Sequence, residues 1–198
     1  MKKITFLVSF LVISGASFAQ VNLQSVIKPG AKLIYAVEAN EQKYNFIVTV
    51  KTLVPAVVFD WEMTDPVNKS GTITHTAAAM AAGNTLFNYF SGGSKTLDDN
   101  TLSVWISKAV FTGLTKGEKS VLVRMNTNET EQMMSVTRED PEEMPVIVNG
   151  EKDTIEEFTA KSGMTQDVYF SFSNSAKLPI ILKMNNGFYI VLKEIKTK

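Results

Sequence analysis

The sequence predicts a mainly β fold, an antiparallel β half-barrel or barrel of about ten strands with two short helices. Three observations carry this. Apolar and polar residues alternate with a period of two along most of the chain, as in strands with one buried face. Turn residues recur at short intervals, which leaves no room for the long crossover helices of a parallel α/β sheet. The composition is globular, 44% apolar and 20% charged, with no internal repeat or low-complexity tract.

The elements follow in chain order. Met1-Lys2-Lys3 is basic, Ile4 to Ile13 is apolar apart from Thr5 and Ser9, and small residues stand at Ser17 and Ala19. This layout predicts a signal peptide over residues 1–19, cut between Ala19 and Gln20, and hence a periplasmic or secreted protein. The apolar run is about half of the roughly twenty residues that a spanning helix needs, so the mature protein is expected to have no membrane span. Residues 20–198 are then a single antiparallel β domain. Without cysteine, that domain has neither disulfides nor a lipid-bearing cysteine, and its core alone must hold it.

Lys32 to Ala39 and Tyr44 to Leu53 read as strands around the turn Asn40-Glu41-Gln42, with Tyr44, Phe46, Val48 and Val50 on one face. Pro55 interrupts the pattern. Val57, Phe59, Trp61 and Met63 then alternate with Val58, Asp60, Glu62 and Thr64, the clearest strand in the chain. Asp65-Pro66-Val67-Asn68 turns it, and Gly71 to Thr76 leads back. Thr76 to Ala82 predicts a short alanine-rich helix stopped by Gly83-Asn84. Leu86 to Phe90 reads as extended and Ser91-Gly92-Gly93-Ser94 as a loop. Leu102 to Ile106 is a strand, after which Ser107 caps a second helix, Lys108 to Leu114, ended by Gly117. Glu118 to Met125 is a strand, whereas Asn126 to Glu143 is polar and the least ordered in pattern. Pro145 to Val148 and Glu151 to Phe158 form a hairpin around Asn149-Gly150 in a type I′ turn. Asp167 to Ser173, Leu178 to Met184 and Phe188 to Ile195 close the chain as a meander.

Charge excludes some functions. Twenty basic residues face 20 acidic ones, and removing Lys2 and Lys3 with the signal leaves a net charge near −2. Nucleic-acid binders carry a basic face, so no nucleic-acid partner is expected. Known reaction motifs are missing as well: there is no Gly-x-Ser-x-Gly elbow, phosphate loop or dinucleotide fingerprint. Ser25-Val26-Ile27-Lys28 matches a Ser-x-x-Lys pattern, but its companion motifs are absent. His75 is the single histidine and reads as structural. Zinc needs several His or Cys ligands, and the acidic runs Asp98-Asp99-Asn100 and Glu139 to Glu143 lack calcium-loop spacing, so no metal or other cofactor is expected. Asp60 and Glu62 share one strand face opposite Phe59, Trp61 and Met63, which reads as solvent against core. Asp153-Thr154-Ile155 matches an Asp-Thr-apolar O-glycosylation acceptor pattern.

The aromatic residues carry the functional expectation. Trp61, Phe87, Phe90, Trp105 and Tyr169 are the candidates for lining an apolar pocket, as rings do in small barrels that hold ligands. Tyr169 alternates out of phase with Phe170, so the strand that bears them is two-sided. Lys28 to Tyr35, Phe59-Asp60-Trp61-Glu62-Met63, Leu86 to Phe90 and Val104 to Lys108 resemble a group of small secreted Bacteroidetes proteins of unknown function. Val168-Tyr169-Phe170 through Leu178-Pro179-Ile180 is similar to periplasmic families that form lipoprotein-carrier-like half-barrels. The resemblance implies a compartment and a fold, and no catalytic residue. The expected function is therefore non-enzymatic: binding of an apolar small molecule or an envelope protein. The alternatives are an interaction protein whose rings are only core, and a carboxylate-based hydrolase of envelope polymers.

Overall fold

The computed structural model describes residues 20–165 and 167–197. The signal peptide expected over residues 1–19 lies outside them. Among the described residues the fold is mainly β, with fourteen strands and three short helices. In chain order these are α1 (Leu23–Val26), β1 (Lys32–Ala39), β2 (Gln42–Thr52), β3 (Val58–Met63), β4 (Ser70–Thr74), α2 (Ala77–Ala82), β5 (Thr85–Leu86), β6 (Gly93–Thr96), β7 (Thr101–Leu102), α3 (Lys108–Thr115), β8 (Ser120–Val123), β9 (Gln132–Val136), β10 (Glu142–Val148), β11 (Glu151–Ser162), β12 (Tyr169–Ser173), β13 (Ile181–Asn185) and β14 (Tyr189–Lys196). No helix among them is long and apolar enough to cross a membrane.

Twelve strands form one sheet. The meander β11 to β14 is closed by β10, which pairs antiparallel with β11 and parallel with β14 through Ile147 and Val148, giving a five-stranded barrel. From β14 the sheet continues outward through β1, β2, β3, β4 and β6, and from β11 through β9 and β8. Asn149 and Gly150 turn the β10–β11 hairpin with φ of 52° and 90°, the double positive φ of a type I′ turn. At the outer limb, β6 runs parallel to β4, and a side chain at Gly71 would collide with the Gly93 carbonyl 1.7 Å away. Only glycine permits that approach.

The helices form where the sequence places caps. Thr76 accepts from Ala79 N–H at 3.0 Å and Ser107 from Val110 N–H at 3.1 Å, each satisfying a donor that the first helical turn leaves open. Two apolar cores result. One covers β1 to β4 with Leu33, Tyr35, Phe46, Val48, Phe59, Trp61 and Trp105. In the other, Val110, Phe111 and Leu114 of α3 pack on Met134, Phe158, Phe170 and Phe172.

The differences from the sequence reading have physical causes. The segment 126–143 contains β9 and the start of β10; its register partners on β8 and β11 supply the order that its polar composition does not. Residues 91–94, read as a loop, include the first half of β6, which exists because β4 offers a parallel edge. Leu86 to Phe90 is a strand only over its first residue, and beyond that it is irregular. Helix α1 was not foreseen, although Asn22 caps it by accepting from Gln24 N–H. Thr154, the residue of the acceptor pattern, is only 6% exposed, and its carbonyl accepts from Val21 N–H of the N-terminal arm.

Candidate functional site

The cross-strand register builds a wall. Met184 of β13 pairs with Ile190 of β14, which pairs with Val37 of β1, which pairs with Tyr44 of β2. In the next row Tyr35 pairs with Phe46, and Phe46 with Met63 of β3. Paired residues point to the same sheet face, so the two rows form one continuous apolar surface across five strands. The β-bulge between Ile34 and Tyr35 puts Leu192 opposite Tyr35 and keeps these rows in phase.

Residues 86–90 cross in front of this wall and enclose a cavity of about 400 Å³. The crossing segment is pinned over its first residues. Phe87 N–H donates to the Leu102 carbonyl at 2.6 Å, and Asn88 Nδ2 donates to the Met125 carbonyl at 2.8 Å. Phe90 then turns inward: its ring centroid lies 4.7 Å from Phe46, 4.8 Å from Trp61 and 5.3 Å from Phe87. Tyr89, between these anchors, is 71% exposed. The turns at Asn40–Gln42, Val67–Lys69 and Asn186–Phe188 complete the rim.

Three polar features belong to the site. Asn88 Oδ1 is buried without a hydrogen-bond partner among the described residues, and Asn40, Gln42, Ser103 and Asn186 bring further polar side chains to the lining. The exposed Lys69 is the only charged residue among the described residues that line the cavity. Tyr35 donates its hydroxyl to the Ile181 carbonyl at 2.9 Å, and burial pushes that phenol far above its ordinary titration range, so it stays neutral. Beside them Val104 lies at φ 66°, the left-handed region that a β-branched side chain disfavours, with its carbonyl taken by Ile181 N–H at 2.7 Å. Such strain, of order 1–3 kcal/mol, is held in place by the packing around it and gathers at functional sites.

The five residues expected from the sequence separate into four groups. Phe87 and Phe90 line the cavity. Trp61 stands behind it and supports Phe90 with its ring. Trp105 is fully buried away from the cavity, against Phe59 at 5.5 Å and His75 at 6.1 Å. Tyr169 lies on the opposite face of the sheet, in a second, polar cleft. Sequence reasoning missed Tyr35, Val37, Met184 and Ile190. Their period-two alternation marks them as inward-facing, but only strand pairing shows that they meet.

His75 has a structural role. It is 1% exposed, its Nδ1 lies 3.1 Å from the Val57 carbonyl, and its Nε2 accepts from Ser103 N–H at 2.9 Å. That pattern requires a neutral ring with the proton on Nδ1. Burial lowers its pKa to about 4, against smaller opposing contributions from the two backbone hydrogen bonds. Asp60 is held by Thr72 Oγ1 at 2.6 Å and Lys51 at 2.9 Å, while Phe59 and Trp61 on the other face are buried. Among the described residues no three His, Cys, Asp or Glu side chains converge as metal ligands would.

No family model, curated protein or solved structure matches this chain.

Proposed function

We propose that this is a non-enzymatic protein of the periplasm or cell exterior that binds an apolar or amphipathic small molecule in the ring-lined cavity. The observation that carries the reading is the cavity itself. Its volume of about 400 Å³ falls within the ~300–1,000 Å³ of small-molecule sites, and its walls are chiefly aromatic and aliphatic side chains with a few polar groups. An acyl chain along the Val37–Tyr44 and Tyr35–Phe46 rows would remove apolar surface from water on both partners. Lys69 at the rim suits an anionic headgroup. The resemblance of the sequence motifs to carrier-like half-barrels points the same way. Docking of an envelope protein over the exposed Tyr89 is the second reading.

Native mass spectrometry of the protein purified from its own host, joined to titration with a dansylated undecanoic acid, tests this. The expected result is an added mass that denaturation releases, together with saturable probe fluorescence that palmitate displaces. A protein that flies at its bare mass, and that binds no probe after delipidation, overturns the reading. An added mass that proves to be a polypeptide favours the envelope partner.

A further inference from the structure

The opposite face of the barrel strands carries a second cavity of about 430 Å³ with different chemistry. Across β11, β12 and β13 the register aligns Thr159, Ser171 and Lys183 in one row and Lys161, Tyr169 and Asn185 in the next. Glu157, two residues before Thr159 on β11, points to the same face, and the segment from Val136 to Glu142 forms the other wall.

Glu157 is the unusual group. It is 4% exposed; Lys183 Nζ donates to its Oε1 at 2.6 Å, while its Oε2 is buried without a hydrogen-bond partner among the described residues. A charged acceptor left in that state costs on the order of 1–3 kcal/mol or more, a cost that a donor admitted by a small movement of the covering side chains would relieve. Around it stand groups with protons to give: the Lys183 ammonium, the Lys161 ammonium, the Tyr169 hydroxyl and the hydroxyl pair Thr159–Ser171, 2.7 Å apart. Burial is the main cause that raises the Tyr169 pKa, with the charge of Glu157 contributing, so its hydroxyl keeps its proton.

We propose that this cleft binds a neutral, many-hydroxyl ligand of the saccharide class. The charges decide against an ion. Arg138 is paired with Glu142 and Lys183 with Glu157, so both signs are largely offset within the walls. A free anion would meet Glu157, Glu142, Asp140 and Asp167, and a free cation would meet Arg138, Lys161 and Lys183. A sugar hydroxyl both donates and accepts. One hydroxyl can therefore give its proton to Glu157 Oε2 while a neighbour accepts from a lysine ammonium, and hydrogen bonds to charged groups are the stronger kind. The half-buried Tyr169 ring supplies an apolar surface for the C–H face of the sugar.

Amide shift mapping of the purified protein, titrated separately with cellotetraose, maltotetraose, chitotetraose and free lysine, tests the proposal. At least one tetrasaccharide is expected to bind with a millimolar or tighter Kd and to move the amides of Thr159, Lys161, Tyr169 and Ser171. Tyr169→Ala, a substitution at a half-buried wall position, should weaken that binding about tenfold with little change in Tm, and Glu157→Gln should weaken it at least as much. Three results would each overturn the proposal: no shift at these amides with any of the three saccharides, binding of lysine alone, or a Tyr169→Ala protein that binds like the wild type.

Discussion

Strand β13 separates two sites of opposite chemistry. Met184 points into the ring-lined cavity, while its neighbours Lys183 and Asn185 point into the polar cleft. On β12 the same division separates Phe170, buried in the core, from Tyr169 in the cleft. The apolar wall is also the protein's core: Tyr35, Val37 and Phe46 hold the outer limb on the barrel and line the cavity at once. In the polar cleft the Glu157–Lys183 and Arg138–Glu142 pairs and the Thr159–Ser171 hydrogen bond tie the walls, whereas Lys161, Tyr169 and Asn185 have no side-chain hydrogen bond or ion pair among the described residues. Substitutions in the two regions should therefore fail in different ways, stability and binding together on one face and mainly binding on the other.

The largest effect should come from Phe46→Ala, which removes a buried ring that touches Tyr35, Trp61 and Phe90. Loss of the ring and the space left behind should lower stability by ~3–5 kcal/mol in urea unfolding, and acyl-probe binding should fall with it. A loss below ~1 kcal/mol would break the equation of cavity wall with core.

Acid should weaken the apolar side next. His75 titrates near 4 in the folded protein against 6.5 for an unperturbed histidine, so the unfolded chain binds the extra proton first. The stability that the neutral ring confers is fully present above pH 6.5 and falls as the pH drops toward 4, by about 3 kcal/mol over that window. Urea midpoints measured across it should decline, and His75→Gln should flatten the decline. An equally steep slope in the variant would assign the effect to other groups.

On the polar side, Lys183→Met strands the buried Glu157 carboxylate and should cost about 2 kcal/mol. The double substitution with Glu157→Gln should recover part of that loss, because no unpaired charge is left. A double variant less stable than Lys183→Met would contradict the reading of the pair.

The smallest effect on stability is expected from Tyr89→Ala. An exposed position should change stability by less than ~0.5 kcal/mol. If the crossing segment at residues 86–90 controls entry to the cavity, release of the acyl probe in stopped-flow displacement should quicken while Tm holds. Unchanged release would make Tyr89 a bystander.

Most antiparallel strands and two short helices, one alanine-rich and one capped by Ser107, were legible in the sequence because alternation, propensity, caps and turn residues are local signals. Asn149-Gly150 announced its turn, and the alanine run before Gly83 and the Ser107 cap announced the two helices. The parallel pairings β4–β6, β5–β7 and β10–β14 were not legible, since each joins segments with no shared local pattern, and barrel closure depends on the last of them. The same limit applies to the site. Phe87 and Phe90 could be named because rings cluster in that segment, and the mismatch of Tyr169 with Phe170 marked a two-sided strand. Which apolar rows meet depends on bulges at Ile34/Tyr35 and Ser171/Phe172, which no local signal marks. Glu157 was hidden for a related reason. In Ile155-Glu156-Glu157 it looks like one of two surface carboxylates, and only the pairing of β11 with β12 and the approach of Lys183 bury it.

Amide shift mapping with palmitate reads both faces of the barrel strands in one titration. Shifts are expected along Val37, Tyr44, Met184 and Ile190, with Thr159, Lys161, Tyr169 and Ser171 unmoved. Palmitate shifts confined to the polar rows, or absent from both faces, would contradict binding in the ring-lined cavity.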